Sequence, residues 1–337
     1  MYLITGFIIA YVITTMLGSR IIPFLIKLEY GQIIKEIGPT WHKNKQGTPT
    51  MGGLMFIVGI MVAASVGYMI LLFTPAYNHR YDGVIHGLKF FSGILAATGF
   101  GAIGFVDDYM KVVKKRNLGL MARYKTLWQI LVGSIYLICL YFAGQTSTVI
   151  IIPFLGQLDV GFAYYLFMLF IIIGTVNAVN LTDGIDGLAA TVTTIAAIAF
   201  LSIGSILKLH SVQLMAACLM GGCVGFVRWN IHPAKVFMGD TGSMFLGGMM
   251  VALAFTIEMP IILVFIGIIY IIETLSVIIQ MCYFRISGGK RLFKMSPIHH
   301  HFEMSGYSEN KIVVIFSVIT IIGCLLAILS VIHMIKS

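Results

Sequence analysis

The chain has 337 residues, of which 59% are hydrophobic and 10% are charged, and its formal net charge is +9. Such a composition is typical of a polytopic membrane protein and excludes an ordinary water-soluble domain. An excess of Lys and Arg is usual in the cytoplasmic loops of membrane proteins. The positive net charge therefore requires no nucleic-acid partner.

About ten apolar runs are long enough to cross a bilayer core of about 30 Å as helices. They lie near residues 2–24, 51–73, 88–106, 126–143, 162–179, 188–207, 213–229, 242–257, 260–283 and 312–335. The first run has no basic n-region and no cleavage site, which favours a retained span over a signal peptide. The connections are too short for a soluble domain, so the sequence predicts one all-α, polytopic membrane domain over residues 1–337.

Two further features of the topology follow from the sequence. If both termini face outward, Arg80, Lys89, Lys208 and Lys336 lie outside, and all other Lys and Arg residues lie at the inner side. The positive-inside rule therefore predicts outer termini and catalytic loops in the cytoplasm. The outer stretch 146–161 has a β-branched run and a glycine-containing turn, which predicts a small β-hairpin.

Acidic residues are scarce, and five of them fall at predicted cytoplasmic ends of spans. These are Asp107, Asp108, Asp183, Asp186 and Asp240. A carboxylate in hydrocarbon costs roughly 3 kcal/mol on insertion scales, and adjacent aspartates repel unless a cation is supplied. Magnesium prefers oxygen ligands and is commonly held by one or two carboxylates together with substrate phosphates. The pattern predicts metal-assisted phosphate chemistry, although a single aspartate such as Asp240, before Thr-Gly-Ser, also fits a helix cap.

Glycines, lysines and histidines accompany these aspartates. The glycines flank the aspartates, where the backbone turns tightly and can approach an anion: Gly184, Gly187, Gly239 and Gly242. Lys45 lies beside a hydroxyl-rich turn and fits either a lipid headgroup anchor or a phosphate ligand. The three histidines at 299–301 fit either a solvated loop with an adventitious metal or a set of donors for a diphosphate.

Five motifs in these loops together resemble the phospho-N-acetylmuramoyl-pentapeptide transferases, within the polyprenyl-phosphate N-acetylhexosamine-1-phosphate transferase superfamily. They occur in the family's order: GTPTMGG at 47–53, DDYMK at 107–111, NAVNLTDGIDGLA at 177–189, FMGDTGS at 237–243 and SPIHHHFE at 296–303. The aspartate motifs alone indicate the superfamily, whereas the histidine triplet after SPI indicates the muramoyl-pentapeptide branch.

This resemblance implies an activity. The expected reaction transfers phospho-MurNAc-pentapeptide from UDP-MurNAc-pentapeptide to undecaprenyl phosphate, which releases UMP and forms lipid I, the first lipid-linked precursor of peptidoglycan. It also implies a Mg²⁺ cofactor, a homodimer in the lipid bilayer and a location in the bacterial cytoplasmic membrane.

The resemblance further implies roles for individual residues. Asp240 would be the metal ligand, and Asp107, Asp108 and His299 would join it as catalytic residues. The nucleotide and sugar side would be formed by Asn177, Asn180, Asp183 and Asp186, with Phe237 stacking on uracil and Gln280 contacting the nucleotide. Phosphate contacts would come from His300, Lys45, Lys111 and Lys125.

Elementary chemistry favours charge screening as the source of catalysis. A phosphomonoester has a second pKa of about 6, so the lipid phosphate is largely a dianion at pH 7 and already nucleophilic. Bringing it to a diphosphate requires a metal and lysines to offset the repulsion. Direct attack is favoured, although the sequence leaves an aspartyl-phosphate intermediate open.

Two alternatives remain open from the sequence. A sibling transferase would use UDP-N-acetylglucosamine in place of the muramoyl substrate. An ion-coupled transporter would also carry carboxylates in its helices, but transporter sites tend to lie near the bilayer midplane in broken helices. Only Glu273 is clearly predicted at that depth, and the sequence assigns it no role.

Overall fold

The computed structural model describes residues 1–28, 47–74, 80–112 and 119–336, with side chains from residue 85 onward in the third helix. The helices are α1 (Tyr2–Leu28), α2 (Gly53–Leu72), α3 (Arg80–Val112), α4 (Ala122–Phe142), α5 (Ala163–Thr182), α6 (Leu188–Ile206), α7 (His210–Asn230), α8 (Gly239–Thr256), α9 (Leu263–Ile266), α10 (Ile268–Ile286), α11 (Ile298–Glu303) and α12 (Glu309–Lys336). The all-α membrane fold is confirmed.

Within the described residues, nine helices are long and apolar enough to span a bilayer, and α8 is the tenth long helix. Its 18 residues give a length of about 27 Å. It is buried along nearly its whole length and packs against α3 and α5. Small residues allow this close packing, since Gly247 contacts Val176 of α5 and Gly248 contacts Ala97 of α3.

The predicted hairpin is confirmed. Strands β1 (Val149–Ile152) and β2 (Gly156–Asp159) pair antiparallel, with Val149 opposite Asp159. The hairpin connects the end of α4 to the start of α5. The ends of α3, α5 and α7 and the starts of α4, α6 and α8 therefore lie at the opposite end of the bundle, which is the end that carries the predicted site.

The prediction of one continuous span over residues 260–283 is wrong. A 3-10 turn at Pro260–Ile262 leads into the short α9, and the helix is interrupted at Gly267 before α10 begins. Beside this break α12 packs closely on α9, since Gly323 lies directly against the backbone carbonyl of Phe265. Helix α10 then runs to Ile286, and its buried residues include Glu273, Ser276 and Gln280.

The third span is longer than predicted. It was expected to end near residue 106, but α3 continues to Val112. Asp107 and Asp108, predicted at the cytoplasmic end of the span, are therefore inside the helix, and each is only 3% exposed. The helix can continue because the carboxylates in its last turns are paired, Asp107 with the segment before α4 and Asp108 with α8.

Candidate active site

The centre of the site consists of three aspartates from two helices, which we call the acidic cluster: Asp107 and Asp108 of α3 and Asp240 of α8. Each offers a carboxylate oxygen, and these oxygens lie within 4.8 Å of one another. Close packing of α3 on α8 brings them together, since a side chain at Gly104 would overlap the backbone of Asp240.

Asp240 makes the most contacts with cations in the acidic cluster. Its Oδ2 lies 3.1 Å from Nζ of Lys111 and 2.9 Å from Nζ of Lys125, and its Oδ1 accepts a hydrogen bond of 2.8 Å from Nδ2 of Asn180. Lys111 also pairs with Asp107 one turn earlier on α3. Among the described residues, three carboxylates thus face two ammonium groups. The excess of negative charge and the oxygen donors suit a hard divalent cation.

Asp108 is bound to the start of α8. Its Oδ2 accepts hydrogen bonds from the backbone N–H of Thr241 at 2.8 Å and from the Thr241 hydroxyl at 2.6 Å, and its Oδ1 accepts from the N–H of Asp240 at 3.2 Å. It therefore acts as a cap supplied by another helix, where an anion is favoured. In this geometry Asp108 holds Asp240 in place, and its predicted catalytic role stays a prediction.

Asp107 links α3 to the segment that leads into α4. Its Oδ1 accepts a hydrogen bond of 2.7 Å from the N–H of Leu120, and its Oδ2 pairs with Lys111. Both oxygens are thus engaged. The carboxylate can orient the lysine that reaches Asp240.

A pair of amide side chains fixes α4 against α5. Gln129 and Asn177 exchange hydrogen bonds of 2.9 and 3.1 Å, and Gln129 is buried. Lys125 lies one helical turn before Gln129, so the pair fixes the part of α4 from which Lys125 reaches Asp240. Asn177 and Lys125 were predictable from the family motifs and the charge pattern, whereas Gln129 was missed, because a single Gln in an apolar run does not indicate its partner.

Asp183 lies just after α5, beside the acidic cluster. Burial raises the pKa of its carboxyl well above the usual range, and repulsion from Asp240, Asp108 and Asp186 adds to this shift. Ionised Asp183 therefore opposes folding of the protein when no ligand is bound. A carboxyl group whose ionisation destabilises the folded protein at this position fits a role in binding a ligand.

Replacing Asp183 by Asn is expected to stabilise the ligand-free protein at neutral and alkaline pH. The stability cost is absent below the unfolded aspartate pKa of about 3.9 and grows as pH rises toward the higher folded pKa. The variant should melt roughly 2 to 4 °C above wild type at pH 8, the shift that about 1 kcal/mol gives in a large domain. The two proteins should converge near pH 4 in thermal unfolding monitored by scanning fluorimetry.

Asp159→Asn is the matched control for that experiment. Asp159 lies in the hairpin, where hydrogen bonds from the Thr148 hydroxyl and the Gly161 N–H lower its pKa. Its replacement should not stabilise the protein at any pH. A melting shift for Asp183→Asn that is independent of pH would contradict the assignment of the effect to ionisation.

Asp186 lies outside the acidic cluster, in a second group with His232 and Glu309. Its Oδ2 lies 2.9 Å from Nδ1 of His232 and accepts a hydrogen bond of 3.0 Å from the N–H of Ala234. The backbone N–H of Asp186 donates to Glu309 at 2.9 Å. This group borders a cavity of about 780 Å³. The five predicted aspartates therefore do not form one cluster, and His232 and Glu309 were missed.

The remaining predicted loops pack together around Asn230. Its Oδ1 accepts from the N–H of Gly187 at 3.0 Å, and its Nδ2 donates to the Val236 carbonyl at 2.9 Å. Phe237 follows directly, and its backbone bonds to Pro49 and Gly52 of the GTPTMGG segment. The half-buried ring of Phe237 thus lies between two motifs.

The three consecutive histidines have different surroundings. His299 is fully buried, and its Nδ1 lies 3.0 Å from Oε2 of Glu273 on α10. His300 is partly exposed, and its Nδ1 lies 2.6 Å from Oε2 of the buried Glu303. His301 accepts a hydrogen bond from a loop N–H. Within the described part of the chain, carboxylates therefore lie behind His299 and His300.

Gln280 and Lys45 were also predicted to contact the substrates. The amide of Gln280 bonds to the loop that follows α10: it accepts from the N–H groups of Leu292 and Phe293 and donates to the Phe293 carbonyl. This arrangement holds the loop, and a nucleotide contact for Gln280 stays a prediction. Lys45 lies outside the described residues.

Known proteins with similar sequences share one transferase name. Glycosyl transferase family 4 matches residues 90–258, and signature 1 of phospho-N-acetylmuramoyl-pentapeptide-transferase matches residues 45–57. The chain is 41% identical over 327 residues to a phospho-N-acetylmuramoyl-pentapeptide-transferase of Listeria innocua, with 97% of each chain covered. It is 43% identical over 326 residues to the protein of that name from Clostridium perfringens, with 96% of this chain and 97% of the relative covered. The Halalkalibacterium halodurans protein of that name is 42% identical over 327 residues, with 97% and 96% covered.

Proposed function

The chain belongs to the phospho-N-acetylmuramoyl-pentapeptide transferase family, and from this premise we propose that it transfers phospho-MurNAc-pentapeptide from UDP-MurNAc-pentapeptide to undecaprenyl phosphate. The reaction releases UMP and forms lipid I for peptidoglycan synthesis. The observation that carries the proposal is the acidic cluster with Lys111 and Lys125, at a bundle end where the family's motifs meet. Carboxylates gathered at helix ends also fit a transferase better than a transporter, whose sites tend to lie at the bilayer midplane.

The lysines and aspartates of the acidic cluster suit the electrostatics of this reaction. A phosphate dianion must approach a diphosphate, and fixed cations in a site that excludes water stabilise the charge that develops. Asp240 orients both Lys111 and Lys125, and Asn180 holds the other oxygen of Asp240. These side chains are therefore held in place before the substrates arrive.

Mg²⁺ is the metal we assign to the acidic cluster. Asp240 would be its main ligand, and Asp107 and Asp108 offer further oxygens nearby. When bound, the ion would neutralise phosphate charge. The chain's own contribution is to set the distance between carboxylates and lysines, and Asp108 does this through the first turn of α8.

The nucleotide and sugar would lie over the loops that surround the acidic cluster. Asn177, Asn180, Asp183 and Asp186 form the rim on the α5 side, Phe237 offers its ring to uracil, and His300 and Lys45 would contact phosphates. We place this site at the cytoplasmic face of the bacterial cytoplasmic membrane, with both termini outside. A homodimer is proposed on the family resemblance alone.

Truncating Phe237 tests the nucleotide site. Stacking of a base on an aromatic ring contributes roughly 1 to 3 kcal/mol, so Phe237→Ala should weaken UDP-sugar binding about ten- to a hundredfold. Affinity for the lipid phosphate should change much less. Calorimetry with each ligand measures both, with the half-buried Phe265 of α9, at the other end of the bundle, as a matched Phe→Ala control. Unchanged nucleotide affinity would show that Phe237 packs within the protein and does not stack on the nucleotide.

A comparison of substrates tests the whole proposal. Purified protein in vesicles with undecaprenyl phosphate should release UMP from UDP-MurNAc-pentapeptide, and much more slowly from UDP-N-acetylglucosamine. The reverse preference would identify the sibling transferase. No UMP from either substrate, with a protein that is folded and supplied with Mg²⁺, would exclude both transferase activities.

A further inference from the structure

Glu273 and His299 form a pair of polar side chains in the interior of the bundle. Glu273 lies on α10 and His299 on α11, and each is 0% exposed. Oε2 of the carboxylate lies 3.0 Å from Nδ1 of the ring. A buried ionisable group is retained only at considerable cost unless it is paired, so this arrangement needs a physical explanation.

The pair lacks full hydrogen bonding among the described residues. Although Nδ1 and Oε2 are close, their geometry falls short of a hydrogen bond, and neither of the other two polar atoms has a partner among the described residues. Buried polar atoms without partners are rare in folded proteins and often belong to functional sites. Contacts of this kind commonly tighten when the substrate binds.

The outer edge of the His299 ring faces the predicted substrate loops. A side chain at Gly184 would overlap Nε2 of His299, so the ring lies directly against the turn that follows Asp183. The ring of His300 packs on its other side, with ring centroids 4.1 Å apart. Nδ1 therefore faces the interior carboxylate, and Nε2 faces the loop next to the acidic cluster.

We propose that Glu273 is a positioning residue for His299: its carboxylate accepts the Nδ1–H and so holds Nε2 toward the Asp183–Gly184 turn that borders the site of the UDP-linked substrate. The inference rests on the proposed function. A carboxylate behind a histidine fixes both the orientation of the ring and the nitrogen that carries the proton. Glu273 needs no contact with the substrate to have this effect.

Glu273→Gln tests the proposal with little change in shape. The glutamine can turn its NH₂ group toward Nδ1 and favour the wrong ring tautomer, so kcat/KM for UDP-MurNAc-pentapeptide should fall about ten- to a hundredfold. The same change in a His299→Gln background should add less than about twofold, because the residue that transmits the effect is already lost. Losses that multiply in the double variant would overturn the proposal, as would wild-type kinetics for the single variant.

A matched control is available at the other end of the bundle. Glu258 lies after the end of α8 and pairs with Lys89 at 2.6 Å, about 27 Å along the helix from Asp240. Glu258→Gln removes a paired carboxylate in the same way, and it should leave kcat/KM unchanged. A similar loss in this variant would assign the effect of Glu273→Gln to general destabilisation and so reject the proposal.

A measurement on the wild-type protein separates this inference from the proposed function. Nitrogen-15 NMR of histidine-labelled protein, with the His299 signal identified by its loss in His299→Gln, should show Nδ1 protonated. A neutral ring protonated only at Nε2 would overturn the inference, whether or not the enzyme is active. Wild-type protein that releases no UMP but protonates Nδ1 would instead reject the proposed function and retain the positioning role.

Discussion

Asp240→Asn is expected to reduce turnover by about a thousandfold or more while the protein remains folded. Asp240 is the residue that both Lys111 and Lys125 contact, through a single oxygen. The amide removes the negative charge that holds the two ammonium groups together. It also removes the main ligand assigned to Mg²⁺, so both sources of charge stabilisation are weakened at once.

The measurement is UMP release across a magnesium titration, with folding checked by size-exclusion chromatography in detergent. Excess magnesium should restore little activity, because the lysines would remain displaced even if the metal returned. Asp159→Asn makes the same chemical change in the hairpin and should leave turnover at the wild-type level. If Asp240→Asn has nearly wild-type activity at ordinary magnesium, Asp240 is not an active-site residue.

The sequence predicted the membrane helices well because each needs an apolar run long enough to cross the bilayer. It failed where polar groups lie inside a helix. Hydropathy predicted the end of the third span near residue 106. Helix α3 instead continues to Val112, because Asp107 bonds to the segment before α4 and Asp108 and Lys111 bond to α8. It also missed the break at Gly267, because the apolar run continues on both sides of that residue.

The sequence likewise predicted which residue types belong to the candidate site better than how they are arranged. Aspartates and lysines in loops on one side of the membrane indicated phosphate chemistry before any geometry was known. Partners such as Gln129, His232 and Glu309 could not be predicted, because each meets its partner only through packing of distant segments. The sequence indicated Glu273 only as a carboxylate at membrane depth. Its neighbour His299 comes from α11, which packs against α10.

Asp107→Asn is expected to lower turnover by about a hundredfold or more, to a similar extent at every pH between about 6 and 9. Oδ1 of Asp107 accepts from the N–H of Leu120, and Oδ2 pairs with Lys111. The amide can keep the bond to Leu120, but it then turns an NH₂ group toward the ammonium of Lys111. The lysine should move away from Asp240, and that displacement does not depend on the protonation of the substrate.

A general base would give a different pH dependence. If Asp107 removed the proton of the lipid phosphate, its loss would matter less as pH rises, because the phosphate loses that proton by itself with a second pKa near 6. The deciding quantity is the ratio of mutant to wild-type turnover at saturating substrates and fixed magnesium. A ratio that climbs tenfold or more toward pH 9 would make Asp107 the base. We expect a flat ratio, since both oxygens of Asp107 are already engaged in holding Leu120 and Lys111.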